Sequence, residues 1–82
     1  MQLKRENRNC FPICDYDINP SEQYTLTLTA ACKSFTYITD VEEDCCGDYE
    51  LCFDIDCIPL ECYRVEIFEN LISIGCFEAT VI

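Results

Sequence analysis

Gln23-Tyr24-Thr25-Leu26-Thr27-Leu28-Thr29-Ala30-Ala31-Cys32 decides the fold class, because it alternates with a period of two. Tyr24, Leu26, Leu28, Ala30 and Cys32 fall on one face, and Thr25, Thr27, Thr29 and Ala31 on the other. Successive residues of an extended chain point to opposite sides, so this is a strand with one buried and one wet face. A helix over 19–33 is the competing reading, since Asn19-Pro20-Ser21-Glu22 has the chemistry of a helix start. The threonine run opposes it, because β-branched side chains lose rotamer freedom in a helix.

Working outward, a further short strand is expected at Phe35-Thr36-Tyr37-Ile38-Thr39, after a turn near Lys33-Ser34. Residues 40–48, Asp40-Val41-Glu42-Glu43-Asp44-Cys45-Cys46-Gly47-Asp48, read as an acidic loop. Alternation returns over 49–57, with Tyr49, Leu51, Phe53 and Ile55 opposite Glu50, Cys52, Asp54 and Asp56. Pro59 separates this strand from a hairpin over 60–68 and 71–81, whose turn is Glu69-Asn70, since Asn tolerates a left-handed backbone. The last strand carries apolar residues in both registers, and Gly75 in its middle suggests a bulge or a close backbone contact. On the N-terminal side, Cys10-Phe11-Pro12-Ile13-Cys14 is an extended lead-in, and 15–22 is rich in turn residues. The expected fold is all-β: a small antiparallel sandwich or barrel of about five to six short strands, cross-linked by cysteines, with an extended N-terminal arm.

Eighty-two residues make a single domain, divided into a basic arm over 1–9 and an acidic, cysteine-rich body over 10–82. The arm holds Lys4, Arg5 and Arg8 against Glu6, whereas the body holds Lys33 and Arg64 against fifteen acids, in a chain of net charge −11. Phosphate repulsion excludes a nucleic-acid face on such a body. Lys4, Arg5 and Arg8 are the candidate docking residues, reaching the acidic body of a neighbouring subunit. On this reading, deleting 1–9 leaves the fold intact and abolishes docking.

A domain of this size has a marginal core unless something staples it. Nine cysteines in 82 residues, about 11%, lie above the level that marks a disulfide scaffold. Cys10, Cys14, Cys32, Cys45, Cys46, Cys52, Cys57, Cys62 and Cys76 are all cross-link candidates, and their pairing is not deducible from spacing. The alternative is a metal centre, zinc first, drawn from Cys10, Cys14, Cys45, Cys46, Cys52, Cys57 and Cys62. The chain lacks histidine and the Cys-x2-Cys pair with which many structural zinc sites begin. Asp15-x-Asp17-x-Asn19 opens like a calcium loop, but Pro20 and Leu26 stand where such a loop needs glycine and glutamate.

Without histidine no Ser–His or Cys–His nucleophile pair can be built, and Gly47 and Gly75 alone make no phosphate loop. The expectation is therefore a non-enzymatic protein without a small-molecule substrate or resident cofactor. The N-terminal residues lack the apolar core of a secretory signal, and no stretch is long enough to span a membrane. High cysteine content without an export signal favours a virion or extracellular location. The leading expectation is a structural or accessory subunit that docks with other protein subunits into an oligomer or particle, such as a virus or phage capsid, tail or decoration component. The alternatives are an intracellular zinc-binding interaction module and a secreted disulfide-rich binding or inhibitor domain.

Overall fold

A computed structural model describes all 82 residues as eight strands in two sheets. They are β1 (Gln2–Leu3), β2 (Arg8–Phe11), β3 (Tyr24–Ala30), β4 (Lys33–Ile38), β5 (Asp40–Glu43), β6 (Tyr49–Asp54), β7 (Cys62–Glu69) and β8 (Ile72–Val81). One sheet has the order β1-β8-β7-β3-β4, the other β2-β6-β5. Every pairing is antiparallel except β1 with β8, which is parallel. No helix of the chain is long and apolar enough to cross a membrane.

The sheets pack face to face through the apolar sides of their strands. Tyr24, Leu26 and Leu28 of β3 and Tyr63, Val65 and Ile67 of β7 line the larger sheet, and Leu51 and Phe53 of β6 face them from the smaller one. Edge-to-face contact of Phe11 with Phe77, and tilted contact of Phe53 with Tyr37, join the two layers. Fifteen buried residues form this one core. Thr39, the single residue between β4 and β5, carries the chain from one sheet to the other. Its N–H and hydroxyl both donate to the Tyr24 carbonyl, at 3.1 and 2.9 Å, so the crossing leaves neither donor stranded.

The all-β sandwich expected from the alternation is the fold observed, with more strands than expected. The additions come from segments read otherwise. Residues 40–43 of the expected acidic loop are β5, with Val41 turned toward the core and Asp40 and Glu42 on the outer side of the small sheet. The β3–β4 turn falls at Ala31-Cys32 instead of Lys33-Ser34, with Ala31 in the left-handed region at φ 46°. Asn70 adopts φ 56° in the β7–β8 turn, as anticipated for Asn. The expected irregularity in the last strand is a bulge: Ile67 pairs with Gly75 but Phe68 pairs with Ser73, leaving Ile74 as the extra residue. The bulge lets Ile74 pack against the core from the register that would otherwise face solvent, which explains the apolar residues in both registers.

Residues 1–9 lie against their own chain. Gln2 and Leu3 pair with Thr80 and Val81, Leu3 is buried in the core, and the amide of Arg5 donates to the Ile82 carbonyl at 2.9 Å. Arg8 and Asn9 pair with Asp54 and Phe53. Between β1 and β2 the chain turns at Glu6, at φ 60°, and the Asn9 side chain brackets that turn: it accepts from the Lys4 N–H and donates to the Lys4 carbonyl.

Candidate functional site

The outer face of the small sheet brings together three of the residues that the sequence singled out, Arg8, Cys10 and Cys52. Register places Cys10 of β2 directly opposite Cys52 of β6, and the two form a disulfide with Cα atoms 4.1 Å apart. Cys52 is wholly buried and Cys10 exposed. Arg8, two residues before Cys10, shares its face and reaches from β2 across β6 to β5. Its guanidinium donates to Asp40 at 2.9 Å, to Glu42 at 3.0 Å and to Asp54 at 3.3 Å. Hydrogen bonding to Glu42, then to Asp40, holds Arg8 even more firmly protonated than a free guanidinium. Lys4 and Arg5 differ: neither makes an ion pair within the chain, and the Arg5 guanidinium reaches only the Ile58 carbonyl, at 3.4 Å.

The remaining cysteines are exposed and unbridged. Cys45 and Cys46 sit in the β5–β6 turn with sulfurs 3.9 Å apart. That turn is tied by Asp44, whose carboxylate accepts the N–H groups of Cys46 and Asp48 at 2.8 and 3.0 Å, and Gly47 supplies its left-handed residue. Cys32 lies in the β3–β4 turn, Cys57 between β6 and β7, Cys62 at the start of β7, Cys14 between β2 and β3, and Cys76 on β8 beside Arg64, whose Nε–H donates to its sulfur at 3.0 Å.

For the zinc expectation, the seven candidate ligands do not converge on one point. The one group of three potential metal-ligating side chains is Cys10, Glu50 and Cys52, and its two sulfurs are those of the disulfide. A bridged sulfur has no thiolate to offer, so metal ligation there requires reduction first. Asp15 and Asp17 belong to the β2–β3 connection, and Asp17 shares a groove with Asp44 and Asp48.

A second polar cluster, which composition did not reveal, fixes that connection. Tyr16 and Tyr24 both donate to the Glu69 carboxylate, Tyr24 at 3.3 Å, and the Tyr24 hydroxyl accepts the Asn19 N–H at 2.8 Å. The bond to Glu69 is the main cause of a raised Tyr16 pKa. Tyr37, raised chiefly by burial, donates to Asp56 at 2.7 Å, and Lys33 pairs with Glu61. These side chains clamp loops onto strand ends. Tyr16 and Glu69 lie far apart in sequence, and the pairing of Tyr24 with Glu69 across β3 and β7 is what brings the Glu69 carboxylate to the connection.

A disulfide in a chain so rich in cysteine is consistent with an oxidising, extracellular-like environment. In comparisons with protein-family models, with curated proteins and with solved structures, nothing matches this chain.

Proposed function

We propose that this chain is a non-catalytic, disulfide-linked binding domain of the secreted type, which recognises a protein partner in an oxidising compartment. The observation that carries the reading is the Cys10–Cys52 bridge, which locks the N-terminal segment to the central strand of the small sheet. With Arg8 spent on Asp40, Glu42 and Asp54 of its own chain, residues 1–9 form part of the domain's structure more than an arm seeking a neighbour. Net charge −11 favours a partner whose contacting face is basic, since complementary charge speeds encounter and rejects acidic partners.

A second reading, a subunit that docks into a particle such as a virion, has one observation in its favour. The tip of the β7–β8 hairpin exposes Leu71 (96%) and Ile72 (70%), apolar side chains suited to insertion into a neighbour. In that reading Lys4 and Arg5, without carboxylate partners of their own, remain the docking cations, and Arg8 is a structural residue.

Native mass spectrometry, followed by intact mass with and without reductant and alkylating agent, tests both. A metal-free monomer in which Cys10 and Cys52 resist alkylation until reduced is the expected result. A metal adduct with both sulfurs alkylatable overturns the proposal in favour of a zinc module. A defined higher oligomer transfers support to the particle subunit.

A further inference from the structure

The earlier part of β8 is an unpaired sheet edge. β1 pairs only with Thr80 and Val81, so no strand lies beside residues 72–77 on that side. Thr80 and Ile82 donate their N–H groups across that edge, to the carbonyls of Met1 and Leu3 at 3.0 and 2.8 Å. Backbone direction alternates along a strand, so the N–H groups of Cys76 and Glu78 point the same way, and there they meet no strand. The bulge at Ile74 ends before Gly75, and pairing with β7 is regular from there to Thr80. No lysine or proline stands in residues 72–78, although such residues commonly blunt an exposed edge. On its core side the edge opens onto an apolar groove of about 330 Å³, lined by Ile67, Ile74 and Phe77 and, from the β2–β3 connection, by Pro12 and Ile13.

We propose that this edge takes an extended, basic segment of a protein partner as an added strand, with an apolar side chain of that segment seated in the groove. Such docking rests on the binding-domain reading and gives it a place and a mode. β1 shows both halves of that mode within the chain itself. It joins the same edge by backbone hydrogen bonds, and its inward side chain, Leu3, is 3% exposed. In strand addition the main chain supplies affinity, and pockets for alternate side chains supply selectivity. Charge selects the occupant. Glu78 is exposed on the outer face beside the edge and makes no ion pair. Glu66 lies across from Cys76 on β7, its carboxylate accepting only from the Ser73 hydroxyl, while Arg64 on the same face is turned to the Cys76 sulfur. A second copy would bring a like net charge of −11 to the edge, so self-pairing is opposed. A segment that alternates apolar and basic residues meets both demands: its apolar residues face the groove and its cations face Glu78.

Amide hydrogen exchange is followed by NMR on the full chain, with Cys10–Cys52 bridged, as a capped synthetic peptide of alternating lysine and valine, about seven residues long, is added. The same peptide methylated on every backbone nitrogen, which has no N–H to pair, is the control. The expected result is slower exchange at Cys76 and Glu78 and shifted side-chain resonances of Ile74 and Phe77, with neither change from the methylated peptide. Glu78→Lys, at an exposed position, should weaken binding about threefold to tenfold. Unchanged exchange at Cys76 and Glu78 up to the solubility limit of the peptide overturns the proposal, as does equal binding of the methylated peptide. Equal binding by the Glu78→Lys chain overturns the choice of a basic occupant. Binding that maps to another face overturns this edge while leaving the binding-domain reading in place, whereas a metal adduct with Cys10 and Cys52 open to alkylation removes that reading itself.

Discussion

At Ala31 the first residue of the β3–β4 turn sits at φ 46°, where an L side chain crowds the following carbonyl. That conformation costs a non-glycine residue about 1–2 kcal/mol, whereas glycine adopts it freely but loses about 0.4–1 kcal/mol through a looser unfolded chain. Ala31→Gly is therefore expected to stabilise the domain by about 0.5 kcal/mol, read as a higher urea midpoint with an unchanged slope. The tyrosines set a limit of a different kind. Tyr16 is raised mainly by its bond to Glu69, and Tyr37 and Tyr63 mainly by burial. A folded-state value above the unfolded one means the folded chain holds the proton more tightly. Their contribution is complete below the ordinary tyrosine value of about 10 and is lost as pH climbs through the raised values. Lys33, raised by Glu61, adds to the same slope. The urea midpoint should hold steady near pH 8 to 9 and fall above about 10, less steeply in Tyr37→Phe. A midpoint flat to about pH 11 would remove these groups from the stability account.

Strands β3, β6 and β7 were legible because each buries one face along an unbroken run, Tyr24-Leu26-Leu28, Leu51-Phe53 and Tyr63-Val65-Ile67. β5 was not, because three of its four residues are acids and one apolar side chain, Val41, carries its whole core signal. β1 is shorter still: two residues paired in parallel with a strand at the far end of the chain leave no local pattern to read. The site suffers the same blindness. Which sulfur meets Cys10 depends on the β2–β6 register, and that is fixed by core side chains such as Phe11 and Leu51, not by cysteine spacing. These short elements also carry a consequence for truncation. Leu3 is 3% exposed, so Leu3→Ala should cost about 2–4 kcal/mol and free β1 from β8. Removing 1–9 takes away β1, half of β2 and the Arg8 bridge together. Circular dichroism with urea titration should show a larger loss for the deletion than for Leu3→Ala. An undiminished midpoint after deletion would restore the segment to the status of a free arm.

For the molecule as a whole, the question is how an 82-residue acidic sandwich keeps its two sheets together. A domain of this length buries only about 60–65% of its unfolded surface. Fifteen core residues must also hold against self-repulsion from a net charge of −11. The Cys10–Cys52 bridge acts on the other side of the balance. It spans a sequence separation of 42 and closes a loop that contains β3, β4 and β5, so the unfolded chain is confined over half its length. Loop-closure entropy for that separation corresponds to about 4 kcal/mol, set against a total stability of about 5–15 kcal/mol for typical domains. Reduction should therefore remove a large share of the stability, and the paired substitution Cys10→Ser with Cys52→Ser should reproduce the effect without reductant. Substituting the exposed Cys32 or Cys57 should not. Guanidinium titrations of the oxidised, reduced and doubly substituted chains provide the comparison. If all three share one midpoint, the core alone supports the fold and the bridge is incidental. If the reduced and substituted chains fall together by the expected amount, the folded state depends on oxidation, and the domain is suited to compartments that keep its sulfurs bridged.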